Sequence, residues 1–97
     1  MQYNFEWDPN KAKANTIKHN ISFEQATEVF WDIQQLTIFD EEHSNTEDRW
    51  VTLGKTKNEI LLVVAHTFTE YENVATIRII SARKATRHEQ HQYEENK

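Results

Sequence analysis

The sequence predicts an α+β domain: an antiparallel β-sheet, two N-terminal helices on one face, and a short C-terminal helix or tail. Three observations lead there. Strand-like segments gather after two helix-like ones instead of alternating with them. The runs at 60–68 and 74–84 are rich in β-branched residues, among them Val63-Val64 and Ile77-Arg78-Ile79-Ile80, as strands are. The segment between them, 69–73, is short enough for an antiparallel hairpin. The first run is apolar on both faces, as an interior strand is, so this hairpin is expected at the middle of the sheet.

Each element has its own signal. Tyr3, Phe5 and Trp7 alternate with Asn4 and Glu6, the pattern of a half-buried strand. Asp8-Pro9 opens a helix, since aspartate accepts from free backbone N–H groups and proline suits the first helical position. Lys18 and His19 place cationic side chains in its last turn, and Asn20 supplies a residue tolerant of left-handed backbone where it closes. Ser22 with Gln25 forms a capping box for a second helix running to about Trp31-Asp32. Its Phe23, Ala26 and Phe30 share one face, with Val29 beside them, and that face should lie on the sheet. Short strands follow at 36–39 and 49–53, separated by an acidic loop at 40–48, and the only glycine, Gly54, closes the second of them. The stretch 86–97 is polar on every face.

The chain has 97 residues and no cysteine, so one domain over 1–97 is expected, without disulfides or cysteine-based zinc sites. No apolar run approaches the roughly 20 residues of a spanning helix, and residues 1–6 lack a signal peptide's character. A cytoplasmic protein is the expectation, without a membrane role. Eleven basic against sixteen acidic residues give a net charge of −5, the opposite balance from most nucleic-acid binders. The bases cluster at Lys11, Lys13 and Lys18 and again at Arg78, Arg83, Lys84 and Arg87. No basic recognition helix is evident, which argues against direct DNA binding.

Several spaced motifs together resemble a known family: Phe5-x-Trp7-Asp8-x-x-Lys11, Asn15-x-x-Lys18-His19-x-x-Ser22-Phe23-x-x-Ala26, Glu47-x-Arg49, Gly54, Arg78-Ile79-Ile80-Ser81-Ala82-Arg83-x-Ala85 and Glu89-x-x-x-Tyr93. In order and spacing they are similar to the BrnT toxins, over nearly the whole chain. The resemblance implies a RelE-like fold and the toxin of a type II toxin–antitoxin pair, an endoribonuclease that arrests translation. It also implies a BrnA-like ribbon-helix-helix antitoxin in a two-to-two assembly, with DNA contacted only through that antitoxin. The chain departs from the family at Asn20, where glycine is usual, and at His88, Gln90 and His91, where basic residues are usual. Left-handed backbone accounts for Asn20, and the missing bases before Tyr93, with the acidic balance, keep a second reading open, a catalytically silent scaffold that only engages a partner chain.

RNA cleavage without metal or cofactor needs a base for the ribose 2′-hydroxyl, an acid for the leaving oxygen, and cations for the phosphate. Arginine suits the last task because its planar fork grips phosphate oxygens and stays charged. Arg83, at the end of a strand, leads the candidates for that clamp, and pairing with Glu89 is its competing reading. Arg78 is second. It shares a face with Arg83 only if a bulge or the strand's end intervenes. His66 is either a titrating group or a satisfied packing residue. Glu47 is a candidate base if it faces Arg83, or a partner of Arg49. Tyr93 stacks on a base or protonates a leaving group, or else packs on the sheet. Lys18, His19, Lys84 and Arg87 are candidate RNA contacts. His88 and His91 have helical ligand spacing but no third ligand, so no metal site is expected.

Overall fold

The computed structural model describes residues 2–96. In order the chain forms β1 (Gln2–Glu6), α1 (Pro9–His19), α2 (Phe23–Thr27), a 3₁₀ turn (Glu28–Trp31), β2 (Leu36–Phe39), a second 3₁₀ turn (Glu41–His43), β3 (Trp50–Lys55), β4 (Leu61–His66), β5 (Thr69–Tyr71), β6 (Val74–Lys84) and α3 (Arg87–Glu95). The strands lie in the order β1-β6-β4-β3-β2, with β5 paired to the start of β6. The architecture is the expected α+β one, and β4 and β6 are central.

The helix boundaries follow the chemistry of the sequence. Asp8 caps α1 by accepting from Asn10 N–H at 2.8 Å, and Asn20 ends it in left-handed backbone at φ 57°. Ser22 and Gln25 close the capping box of α2 in both directions. The helix expected to reach about Trp31 instead tightens to 3₁₀ geometry after Thr27. Gly54 lies inside β3 and does not close it. A Cβ there would stand 3.0 Å from Val29 Cβ and 3.1 Å from Val29 O, so glycine is what lets the 3₁₀ turn lie against the strand.

Two further expectations are corrected. The sheet is not wholly antiparallel, because β1 runs parallel to β6, from Gln2↔Val74 to Glu6↔Arg78. A chain that passes through the α1–α2 layer and four further strands before reaching β6 can approach β1 from either direction, and local patterning carries no signal for that choice. The hairpin loop also shrinks: Thr69–Tyr71 pairs as a strand, leaving Glu72 and Asn73, both at positive φ, as the two-residue turn that suits twisted hairpins.

The core has two parts. Phe23, Ala26, Val29 and Phe30 pack on Leu62, Val64, Ile77, Ile79 and Ala82, sealing the first face of the sheet. On the second face Tyr93 of α3 packs with Leu53 and Val63. The C-terminal stretch is therefore an ordered helix. It starts with a capping box, in which Glu89 N–H donates to Thr86 Oγ1 and Thr86 N–H donates to Glu89 Oε1.

Beyond Glu6 the free edge of β6 is closed by a side chain. Buried Asn15 donates from Nδ2 to Ala82 O at 2.8 Å and to Ile21 O at 3.0 Å, and accepts from Ala82 N–H at 3.1 Å. It stands in for a strand. Each buried backbone group left unpaired costs about 1–3 kcal/mol, so Asn15→Ala is expected to destabilise the fold by roughly 2–4 kcal/mol. For a domain of this size that lowers Tm by about 10 °C or more. Thermal unfolding followed by circular dichroism checks it, with exposed Lys13→Ala as control. Equal melting of Asn15→Ala and the parent would remove the strand-substitute role.

Candidate functional site

The side chains that share a face of β6 are set by its register with β4. Leu62 to Ala65 pair with Lys84 to Ser81 in step, and then His66 pairs with Ile79. One residue of β6 is absorbed at that shift, so alternation is reset. Ile77, Ile79 and Ala82 all face the first core, which puts Arg78 and Arg83 together on the second face. They do not meet. About four register steps, or roughly 13 Å of strand, lie between them.

Arg78 is joined there by groups from the loop before β3. That loop is pinned shut: Asp40 N–H donates to Arg49 O at 2.9 Å, Ser44 Oγ donates to Asp40 O at 2.5 Å, and Arg49 N–H donates to Ser44 Oγ at 3.0 Å. So held, it presents Glu47 and Arg49 to β6. Arg78 Nη2 donates to Glu47 Oε1 at 2.5 Å, and Arg49 Nη2 lies 3.5 Å from the same oxygen. Arg49 Nε is buried with no hydrogen-bond partner, a donor with unused capacity. Asp8 and Lys11, from the start of α1, complete the walls of a cleft of about 280 Å³ around this cluster. Three cations and two carboxylates thus line one small cleft, the composition of an anion site that also holds a proton acceptor.

The other sequence candidates are placed elsewhere. Arg83 binds Glu89 with both arms of its guanidinium, at 2.8 and 2.9 Å. Its competing reading is what the geometry favours, because the fork that would grip phosphate is occupied. The pair draws Glu89 down to about 2, chiefly through the bond from Arg83, against a smaller opposing effect of burial, and it raises Arg83. Tyr93 is not a mobile group able to stack on a base. It is buried, and its hydroxyl donates to Asp32 Oδ2 at 2.6 Å. Burial first and the Asp32 carboxylate second raise its pKa. Asp32 is itself lowered: burial would raise it, but the Tyr93 hydroxyl and the Lys55 and Gln34 N–H groups outweigh that.

His66 faces the first core, with its ring edge-on to Phe30 at 4.9 Å. Its Nδ1 lies 3.0 Å from Thr67 O. A carbonyl only accepts, so Nδ1 carries the proton and Nε2 accepts from Thr52 Oγ1 at 2.7 Å. Burial pushes its pKa down, with the Thr67 bond opposing. It is a neutral packing histidine across the sheet from the guanidinium cluster, in the lining of an aromatic cavity with Tyr3, Trp50 and Phe68. Lys18, Lys84 and Arg87 are exposed, and His19 is half-buried at the end of α1. None of them lines the cleft. Among the described residues no His, Asp and Glu side chains gather as a metal-binding group, and no helix is long and apolar enough to cross a membrane.

Sequence reasoning passed over Lys11 and Asp8 as site residues, although the Asp8-x-x-Lys11 spacing puts both on one turn of α1. It also missed that Glu47 spans two arginines, a contact across 31 positions of sequence that no local pattern encodes.

A sequence model described as "Ribonuclease toxin, BrnT, of type II toxin-antitoxin system" matches residues 7–89. Among solved structures, the Brucella abortus ribonuclease toxin BrnT superimposes with a TM-score of 0.60 at 20% identity, over 90% of this chain and 100% of that one, which is a likeness of fold. No curated protein matches in sequence.

The Arg83–Glu89 pair yields a pH prediction. The folded-state pKa of Glu89 lies below its ordinary value of 4.5, at about 2, so its contribution to stability is complete above about pH 4.5 and is lost as pH falls toward 2. Glu89→Gln is expected to flatten the stability profile in that window, read by denaturant unfolding at several pH values. His66, also depressed, loses its share earlier, as pH falls below its ordinary 6.5. A Glu89→Gln profile as steep as the parent's would show that this pair does not carry the acid sensitivity.

Proposed function

Because the chain belongs to the BrnT family of ribonuclease toxins of type II toxin–antitoxin systems, we propose that it is an endoribonuclease whose catalytic cleft is the Glu47–Arg49–Arg78 cluster. The observation that carries this reading is one carboxylate oxygen of Glu47 held between the guanidiniums of Arg78 and Arg49. Glu47 takes the proton of the ribose 2′-hydroxyl. The freed oxygen attacks the adjacent phosphorus to form a 2′,3′-cyclic phosphate, the P–O5′ bond breaks, and the departing 5′-oxygen takes a proton from solvent water. Arg78 and Arg49, with Lys11 beside them, hold the phosphate oxygens as negative charge builds. Written this way the reaction needs no metal ion.

The family implies an antitoxin protein as partner. In the proposal this antitoxin is BrnA-like, with a ribbon-helix-helix domain that contacts operon DNA, and the two chains assemble two-to-two. Cleavage of cytoplasmic RNA then arrests translation whenever the antitoxin is lost. A silent scaffold is the second reading, favoured by the same Arg78–Glu47 bond, which occupies part of the arginine fork.

Cleavage of RNA by antitoxin-free protein tests both. Arg78→Ala and Glu47→Gln are each expected to slow cleavage by about 10²-fold, the usual loss for a phosphate donor or a general base. Because the pair is half-exposed, thermal stability should change by about 1 kcal/mol or less. Arg83→Ala should loosen α3 and affect cleavage far less. RNA left intact by the parent favours the scaffold, and unchanged rates in Arg78→Ala move the active site elsewhere.

A further inference from the structure

The second face of the sheet is built in rows of paired residues. Leu36, Leu53, Val63 and Arg83 form one row across β2, β3, β4 and β6, and Ile38, Val51, Ala65 and Ser81 form the next. Tyr93 of α3 covers the first row through Leu53 and Val63. The second row is only partly covered: Val51 packs against the Tyr93 cluster and Ala65 is half-buried, while Ser81 is exposed. Ile38 is 56% exposed, and the row floors an open trough of about 480 Å³. One step further along the same strands comes the Arg49–Glu47–Arg78 cluster.

We propose that this partly covered row is the docking site of the antitoxin, and that its occupant is an amphipathic helix with an apolar stripe flanked by lysine or arginine. The inference rests on the toxin reading given above. A sheet face offers no backbone N–H or C=O groups, so an extended segment laid on it would leave its own backbone unpaired. A helix satisfies its own. Four strands spaced about 4.8 Å apart make a floor roughly 14 Å long, enough for more than two helical turns, and α3 already shows a helix on the adjoining row.

Charge selects the partner's chemistry. Asp40, Glu41 and Glu42 stand along the trough beside Ile38 and Phe39, and Glu89 stands at its other end. Asp40 is engaged by His43 and Glu89 by Arg83. Among the described residues no cation pairs with Glu41 or Glu42. Such a rim repels the phosphates of RNA and attracts a basic helix. A helix seated there lies against the guanidinium cluster and shields it, so docking and neutralisation become one event.

The probe is a synthetic amphipathic helix with an apolar stripe flanked by lysine and arginine, together with any ribbon-helix-helix protein found in the adjoining reading frame, labelled and titrated against antitoxin-free protein. Ile38→Glu and the double change Glu41→Lys with Glu42→Lys are each expected to weaken binding at least tenfold while leaving melting and RNA cleavage as in the parent. Antitoxin at a concentration that silences the parent should leave both variants cleaving. Unchanged affinity in both variants overturns the proposal. So does a charge reversal that leaves antitoxin binding intact but tightens RNA binding, which would assign the row to the nucleic acid. A parent that binds the antitoxin yet leaves RNA intact defeats the ribonuclease reading alone, because docking is measured directly.

Discussion

The single residue that β6 absorbs where it passes Ala65 and His66 of β4 governs the chemistry of the molecule. Without it, positions five apart on a strand point to opposite faces. Arg78 or Arg83 would then project into the layer sealed by α2 and the 3₁₀ turn, at the cost of burying an unpaired charge. With it, Ile79 and Ala82 both reach the first core, while both arginines emerge on the second face, each beside its own carboxylate. The bulge thus reconciles an apolar seal on one side with a charged working surface on the other.

Everything polar and reactive is consequently gathered on one side. The first face spends its few polar groups inward: Asn15 on the edge of β6, and His66 on Thr52 and Thr67. The second face carries three strips in sequence along the strands: a helix-covered row, an open apolar row with an acidic rim, and a cluster of arginines around one glutamate. A chain with net charge −5 can still present a cleft with three cations against two carboxylates, because its other acids stand outside it. The bulk balance that counted against a nucleic-acid substrate averaged over surfaces that the fold keeps apart.

What was legible in the sequence divides along the same physical line. Features closed within a few residues were readable: the Asp8 cap, the left-handed Asn20, the Ser22–Gln25 box and the apolar stripe of α2. Thr86-x-x-Glu89 was a capping box of the same kind, and the polar character of its surroundings concealed it. Interactions across many residues were not readable. Nothing near Glu47 announces Arg78, and nothing near Tyr93 announces Asp32, 61 positions away. The condition under which Arg78 and Arg83 share a face could be stated from the sequence. Whether the strand met it depended on a bulge set by pairing with another strand.

The C-terminal helix completes the case for reading the second face as unfinished. Its sequence is polar on nearly every side, and a helix of that kind persists only through specific tethers. Its tethers include the capping box at Thr86, the two-armed Arg83–Glu89 pair, the Lys55 ammonium over the Tyr93 ring, and the Tyr93 hydroxyl on Asp32, a residue that also accepts from Lys55 N–H at 2.8 Å. These fasten α3 to the end of β6 and to the turn before β2, which fixes it over the row of Leu53 and Val63 and no further. An apolar row left open beside so firmly placed a helix is not a lapse in packing that α3 could correct by sliding. Its tethers prevent that, so the exposed Ile38 stays open to solvent beside α3 and is the part of the row on which a proposed partner helix would bury its apolar stripe.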